Sequence, residues 1–245
     1  MRIALIADIH GNAVALDRVL SDIDNQKPDQ VICLGDVAAT GPQPRQVIAR
    51  LRAAGIPVVM GNADEWLLTP QFSPNPGEST ARIEKIDAWC REQLSSDDLA
   101  YLREFHPTID IPLDERTTLL CCHGSPRSNT EAIRPTAPDA ELEPMLDGVQ
   151  ATILAFGHTH EPMLRRYGQM ILLNPGSVGM PFERDCRSGE IRNPPWVEYA
   201  LLAWRDGALS IELRRVPLDP AAVIEAAVTS GMPHADWWAA GWRTP

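Results

Sequence analysis

The chain has no run of 18 apolar residues, no CxxC pair and a shortage of basic side chains, and each lack closes off a class of protein. Without a long apolar run, no transmembrane helix is expected. Cysteine is scarce and odd in number, five in 245 residues, and Cys33, Cys121 and Cys122 lie in strand-like apolar runs. Such thiols behave as small buried hydrophobes, which argues against a disulfide framework and against a thiolate zinc site. Only 22 lysines and arginines stand against 33 aspartates and glutamates, for a formal net charge of -11. Duplex nucleic acid and anionic membranes need a basic face, so neither is an expected partner. A small anionic substrate is compatible with this charge, because a bound cation dominates its local field. The opening "MRIALIADIH" lacks the basic head, apolar core and cleavage site of a secretory leader. A cytoplasmic protein is expected.

What is present reads as an ordinary globular chain, 44% hydrophobic and 22% charged, long enough to bury a substantial core. One domain over residues 1–245 is expected, with a helical tail from about 217 that carries Trp237, Trp238 and Trp242 and packs on the core. No internal repeat or low-complexity tract interrupts it. In the first sixty residues "RIALIA", "QVICL" and "PVVM" read as strands, with "NAVALDRVLSDI" and "PRQVIARLRAAG" as helices between them. This alternation implies parallel strands joined by right-handed crossovers. The Pro-rich "TPQFSPNPGES" reads as a surface excursion. Two helices follow, "TARIEKIDAWCREQL" and "SSDDLAYLREF", the second capped by Ser95 or Ser96. The rest turns to strands: "TIDIPL", "TTLLCC", "ATILAF", "MILL", "VEYALLAW" and "ALSIELRRV". The loop from Pro181 to Pro195 carries Arg184, Arg187 and Arg192.

Polar residues follow the strands with a regularity that apolar packing does not require. Asp8 and His10 follow the first, Asp36 the second, Asn62 and Asp64 the third, His123 follows "TTLLCC", and His158 and His160 follow "ATILAF". Taken singly, each has an ordinary explanation as a helix cap, a turn residue or a hydrogen-bonded core histidine. Taken together, five strand ends carry metal-ligand residue types, and the crevice beyond parallel strand ends is where ligands bind. Carboxylate, imidazole and amide oxygen suit divalent manganese, iron or zinc. The groups Asp8, His10, Asp36, Asn62, His123, His158 and His160 overfill one octahedral ion that must also bind water. They suit two ions, with a carboxylate such as Asp36 as the natural bridge.

The motifs "DIHGN" at 8–12, "GD" at 35–36 with "TGP" at 40–42, "GNAD" at 61–64, "HGS" at 123–125 and "GHTH" at 157–160 resemble the five ordered motifs of the calcineurin-like metallophosphoesterases. "NPGSVGMP" at 174–181 is similar to a further stretch of the small bacterial phosphodiesterase-like branch. The resemblance covers residues 1 to about 215. It implies an α/β fold, a two-sheet β-sandwich flanked by helices in four αββα layers. It implies one ion on Asp8, His10 and His160 and a second on Asn62, His123 and His158, with Asp36 bridging. Superfamily members that hydrolyse monoesters carry a histidine where this chain has Ala63, oriented by the following aspartate. With that partner gone, Asp64 is expected to cap the turn or short helix. The protein-phosphatase branch carries an arginine within "GDxxDRG", where this chain reads "GDVAATG".

The expectation is therefore a two-metal phosphoesterase acting on small phosphate esters, chiefly diesters, through hydroxide generated at the ions. Asn62, and Arg184 from the loop after "NPGSVGMP", are the expected substrate contacts. The alternatives are a phosphoprotein or dinucleotide-polyphosphate phosphatase, or a non-catalytic scaffold that uses the metals for stability.

Overall fold

Strand β1 (Arg2–Ile6) shows how the layers arise. Successive side chains of a strand point to opposite faces. Ile3 and Leu5 enter one buried cluster with Leu119, Ile153 and Leu173, whereas Ala4 and Ile6 enter another with Leu16, Val19 and Ile48. A strand apolar on both faces must be covered on both, by a second sheet on one side and helices on the other.

The computed structural model describes residues 1–184, 187 and 189–243. After β1 come α1 (Ala13–Gln26), β2 (Gln30–Cys33), α2 (Pro44–Ala53), α3 (Asn62–Leu68), α4 (Glu78–Gln93) and α5 (Ser96–Leu102). The second half runs β3 (Ile109–Pro112), β4 (Thr118–Cys121), α6 (Asp139–Leu146), β5 (Ile153–Ala155), β6 (Met163–Tyr167) and β7 (Met170–Asn174). A short hairpin of β8 (Glu183–Arg184) and β9 (Ile191–Arg192) precedes β10 (Trp196–Arg205), β11 (Ala208–Pro217), α7 (Pro220–Thr229) and α8 (Ala235–Ala240). One main sheet has the order β11-β10-β1-β2 and the other β3-β4-β5-β7-β6. The architecture is a mixed α/β sandwich of two sheets flanked by helices. The cluster containing α1, α2, α4, α7 and α8 covers the outer face of the first sheet, and α6 covers the second through Leu142 and Leu146.

Local chemistry sets the helix ends. The Asn12 side chain accepts from the Ala15 amide at 3.0 Å and starts α1, while Ser95 and Asp98 form a reciprocal capping box on α5. Pro44 and Pro220 open α2 and α7 at positions where no amide donor is needed. Cys33, Cys90, Cys121 and Cys122 are buried free thiols. Trp238 and Trp242 are buried in the cluster that covers the first sheet. Among the described residues no helix is long and apolar enough to cross a membrane.

Register positions the site. β1 and β2 run parallel with Ile6 beside Cys33, and β4, β5 and β7 run parallel with Cys121, Ala155 and Leu173 side by side. The carboxyl ends of both parallel sets thus open along one edge of the sandwich. "PVVM" departs from the expected third strand: Val58 bridges Cys33 and Val59 bridges His106 as isolated pairs. Pro57 has no amide donor and the chain turns into α3 at Asn62, so the extended run is too short for a ladder. The hairpin β8–β9, the strand β6 and the helix α6 go beyond the sequence reading. α6 is masked by Pro144 inside it, which breaks its helical pattern.

Leu5 is fully buried between the sheets and Leu164 is 52% exposed on β6. Leu5→Ala is expected to lower unfolding free energy by about 2–5 kcal/mol and Leu164→Ala by less than about 0.5 kcal/mol. Urea denaturation measures both. Equal losses would contradict an inter-sheet core at Leu5.

Candidate metal centre

Five of the polar residues beyond the strand ends share a backbone conformation that side chains other than glycine seldom adopt. Asp8 (φ 54°), His10 (45°), Asp36 (54°), His158 (66°) and His160 (57°) are all left-handed. Each such residue costs about 1–2 kcal/mol. The turns are held by their neighbours. The amides of Asp8, His10 and Gly11 donate to the carbonyls of Gly35, Asp36 and Val37 at 3.0, 2.9 and 2.9 Å, zipping the loop after β1 onto the loop after β2. From the other side, Val178 and Gly179 donate to the carbonyls of Ala7 and Asp8, and Ser177 Oγ donates to Asp8 O at 2.8 Å. A Cβ at Gly179 would stand 1.7 Å from Ile9 O, which explains the second glycine in "NPGSVG". Asn174 Nδ2 ties the same segment to Gly157 O at 2.7 Å.

The structure brings together all of Asp8, His10, Asp36, Asn62, His123, His158 and His160. Asp8, His10 and His160 form one group, and Asp36, His123 and His158 another, with the ligand atoms of each group within 4.8 Å of one another. Asn62 Oδ1 lies 3.0 Å from His123 Nε2. Asp36 Oδ2 lies 3.3 Å from His123 Nε2 and 3.7 Å from His10 Nε2, so this carboxylate reaches both groups. Arg184 is exposed on β8, with its guanidinium donating to Gly189 O.

The histidines are oriented from behind. Nδ1 of His10, His123 and His160 faces the carbonyls of Ala39, Leu34 and Met180 at 3.3, 2.7 and 2.9 Å. A carbonyl only accepts, so each Nδ1 carries a proton; His10 and His160, whose pKa values burial lowers, then present an Nε2 lone pair inward, and His123 does so once its second proton is lost. Outer hydrogen bonds of this kind are what fix metal-ligating imidazoles. Nε2 of His10 and Nε2 of His160 face each other at 3.1 Å. Two lone pairs at that distance repel unless a cation or proton lies between them. This donor set therefore fits divalent ions on chemistry alone.

Electrostatics point the same way. Burial pushes Asp8 up to about 7, with Asp36 adding to the rise. Burial also works against ionisation of Asp36, yet His123 and His10 outweigh it and hold that carboxyl well below the usual range. Burial likewise opposes the charged form of His123, but Asp36 overrides it and raises the imidazolium to about 10. His158 falls to about 4, through burial first and His123 second.

Asp64 has a role that the sequence reading grasped only in part. Its carboxylate accepts from the Gly61 amide at 3.2 Å, the cap on α3, but it also accepts from the amides of Asp36 and Val37 at 2.8 Å each. It thereby clamps the loop that carries Asp36. The Ala63 amide donates to Asp36 Oδ1 at 2.9 Å from the opposite side. A Cβ at Gly61 would fall 2.1 Å from Asp36 Oδ1, so only glycine lets the two loops approach. An acidic residue three positions after a glycine signals a cap in sequence; the reach across to a second loop carries no local signal.

Residues 1–191 match the model of the calcineurin-like phosphoesterase superfamily domain. The chain belongs to that superfamily, whose members depend on divalent metal. An uncharacterized protein of Methanocaldococcus jannaschii is 27% identical over 253 residues, covering 95% of this chain and 94% of that one. Phosphodiesterase YfcE of Escherichia coli is 26% identical over 195 residues, covering 74% of this chain and 81% of that protein. The crystal structure of a metallophosphoesterase from Sphaerobacter thermophilus superposes with a TM-score of 0.75 at 26% identity, covering 99% of this chain and 100% of that one.

Ligation requires a neutral imidazole, and the raised pKa of His123, about 10, keeps it protonated at pH 7 until a metal displaces the proton. Loading with a divalent ion at pH 7 is expected to release at least one proton per chain, and affinity should strengthen as pH rises toward that value. Calorimetric titration in two buffers of different ionisation heat measures the release. Identical heats in both buffers would contradict it.

Proposed function

We propose that the chain is a binuclear phosphodiesterase of small phosphate esters. Asp8, His10 and His160 would hold one divalent ion and Asn62, His123 and His158 the other, with Asp36 shared between them. Manganese, iron and zinc all suit this mixture of oxygen and imidazole ligands. The observation that carries the reading is the position of Asp36 Oδ2, within 4.0 Å of a histidine from each group. When bound, such a pair supplies activation of water at neutral pH and neutralisation of charge developing at phosphorus.

The chain's own residues narrow the substrate. Breaking an ester with a poor leaving group calls for a positioned acid, and among the described residues the site supplies no dedicated one. Ala63 presents a methyl group, and its amide is engaged by Asp36. His10, His123 and His160 have Nδ1 on backbone carbonyls and Nε2 turned inward, and His158 belongs to the group of Asp36 and His123. Both oxygens of Asp64 are taken by amides. Esters whose leaving group departs unprotonated are favoured. The relative named phosphodiesterase YfcE supports the same preference.

A metal-loaded preparation is expected to hydrolyse bis(p-nitrophenyl) phosphate at least about 10²-fold better in kcat/KM than glycerol phosphate, the low end of what a positioned acid contributes. Steady-state assays on both esters with manganese, iron and zinc decide it. Preference for the monoester would overturn the diesterase reading, and no turnover with any metal would favour a non-catalytic scaffold.

A further inference from the structure

A cleft of about 430 Å³ lies immediately beside the second group of ligands, with His123 in its wall. That volume suits one drug-sized organic group. Its apolar sides are Met60, Phe105, Pro107 and Pro126, and its polar rim holds Glu65 and Asn129. Glu65 lies three residues beyond Asn62 on α3, and residues at that spacing share a helix face. The rim therefore continues directly from a ligand of the centre.

The far wall of the cleft is a built loop. Ser125 Oγ donates to Glu131 at 2.6 Å and accepts from the amides of Arg127 and Ser128, while Ser125 N donates to Ser128 O at 2.7 Å. Arg127 is held in a salt bridge by Glu131. A Cβ at Gly124 would come within 2.6 Å of Glu131 O and 2.7 Å of Ser128 O, so the glycine of "HGS" is what lets the loop fold back on itself. This turn presents Asn129, whose amide donates to Glu65 Oε2 at 2.9 Å across the mouth of the cleft. The result is a slot with thioether, ring and pyrrolidine walls, closed at one edge by an amide and a carboxylate. Sulfur and aromatic groups favour the faces of flat rings. An amide paired with a carboxylate offers both donor and acceptor groups to the edge of a heterocycle.

We infer that this cleft seats the organic arm of the substrate and that the arm is a nucleoside, its base lying against Met60 and Phe105 with its edge at Asn129 and Glu65. The inference rests on the phosphodiesterase reading of the adjacent centre. It names the substrate class as nucleoside 5′-phosphodiesters and assigns Asn129 and Glu65 as specificity-determining residues.

Three esters with the same p-nitrophenyl leaving group test it: methyl, phenyl and adenosine 5′ p-nitrophenyl phosphate, with the metal-loaded full chain. The adenosine ester should exceed the methyl ester about 10-fold or more in kcat/KM, chiefly through KM, with the phenyl ester between them. Asn129→Ala and Glu65→Gln should each lower the adenosine-to-methyl ratio by about 10-fold. Equal values for methyl and adenosine esters, or a ratio unchanged in both variants, would overturn the assignment. A phenyl ester as good as the adenosine ester would mean that stacking alone acts and the edge is not read, which also overturns it. If none of the three esters is turned over, the phosphodiesterase reading fails, and calorimetry still judges the cleft. Adenosine 5′-monophosphate binding about 10-fold tighter than methyl phosphate supports it, and equal affinity overturns it.

Discussion

Two imidazole nitrogens, Nε2 of His10 and Nε2 of His160, point at each other from 3.1 Å, each backed by a proton donated to a carbonyl. Much of the chain serves to hold this electron-rich confrontation and its counterpart around Asp36 and His123. The polypeptide accepts five left-handed residues to do so, at an aggregate cost of order 5–10 kcal/mol. Strain of that kind persists only where surrounding structure over-determines it. A divalent cation in each group would turn the repulsion between ligands into attraction, and in the proposed reading it is the ions that complete the balance.

The over-determination is visible. Each left-handed loop is pinned from more than one direction: the loop after β1 by the loop after β2 and by Val178 and Gly179, the Asp36 loop by Asp64 and by the Ala63 amide, and the loop after β5 by His123 O and Asn174. The sandwich makes this possible because its parallel strands finish in register along one edge. Behind them stand fully buried residues such as Leu5, Leu34 and Leu119, which give the loops a rigid base. Glycines at 61 and 179 sit where a single extra carbon would collide with the site. Site precision here comes from backbone packing more than from side-chain ion pairs.

Much of this was legible in the sequence, for a physical reason. A buried parallel strand announces itself as a short apolar run, and a polar residue just past it has few places to go but the crevice beyond the sheet. That logic located Asp8, His10, Asp36, His123, His158 and His160, and it reached Asn62 although Pro57–Met60 makes only isolated bridges. What escaped depends on contacts between distant segments. The reach of Asp64 to Asp36 and Val37 spans two loops, and Asn174 meets Gly157 across 17 positions of sequence. α6 was hidden by Pro144, and the hairpin bearing Arg184 sits in a loop whose prolines and charges read as irregular. The cleft around Asn129 was equally out of sight, because Met60, Phe105 and Pro126 come from three separate segments.

In the proposed reading these side chains form one binuclear site joined through Asp36. The most direct measurement is metal content per chain by mass spectrometry after reconstitution and removal of free ion, on the native protein and on Asp36→Asn. About two ions are expected in the native protein and a lower content, with lost diesterase activity, in the variant. Saturation of the native protein at one ion, or an Asp36→Asn variant that keeps both ions and full activity, would contradict it.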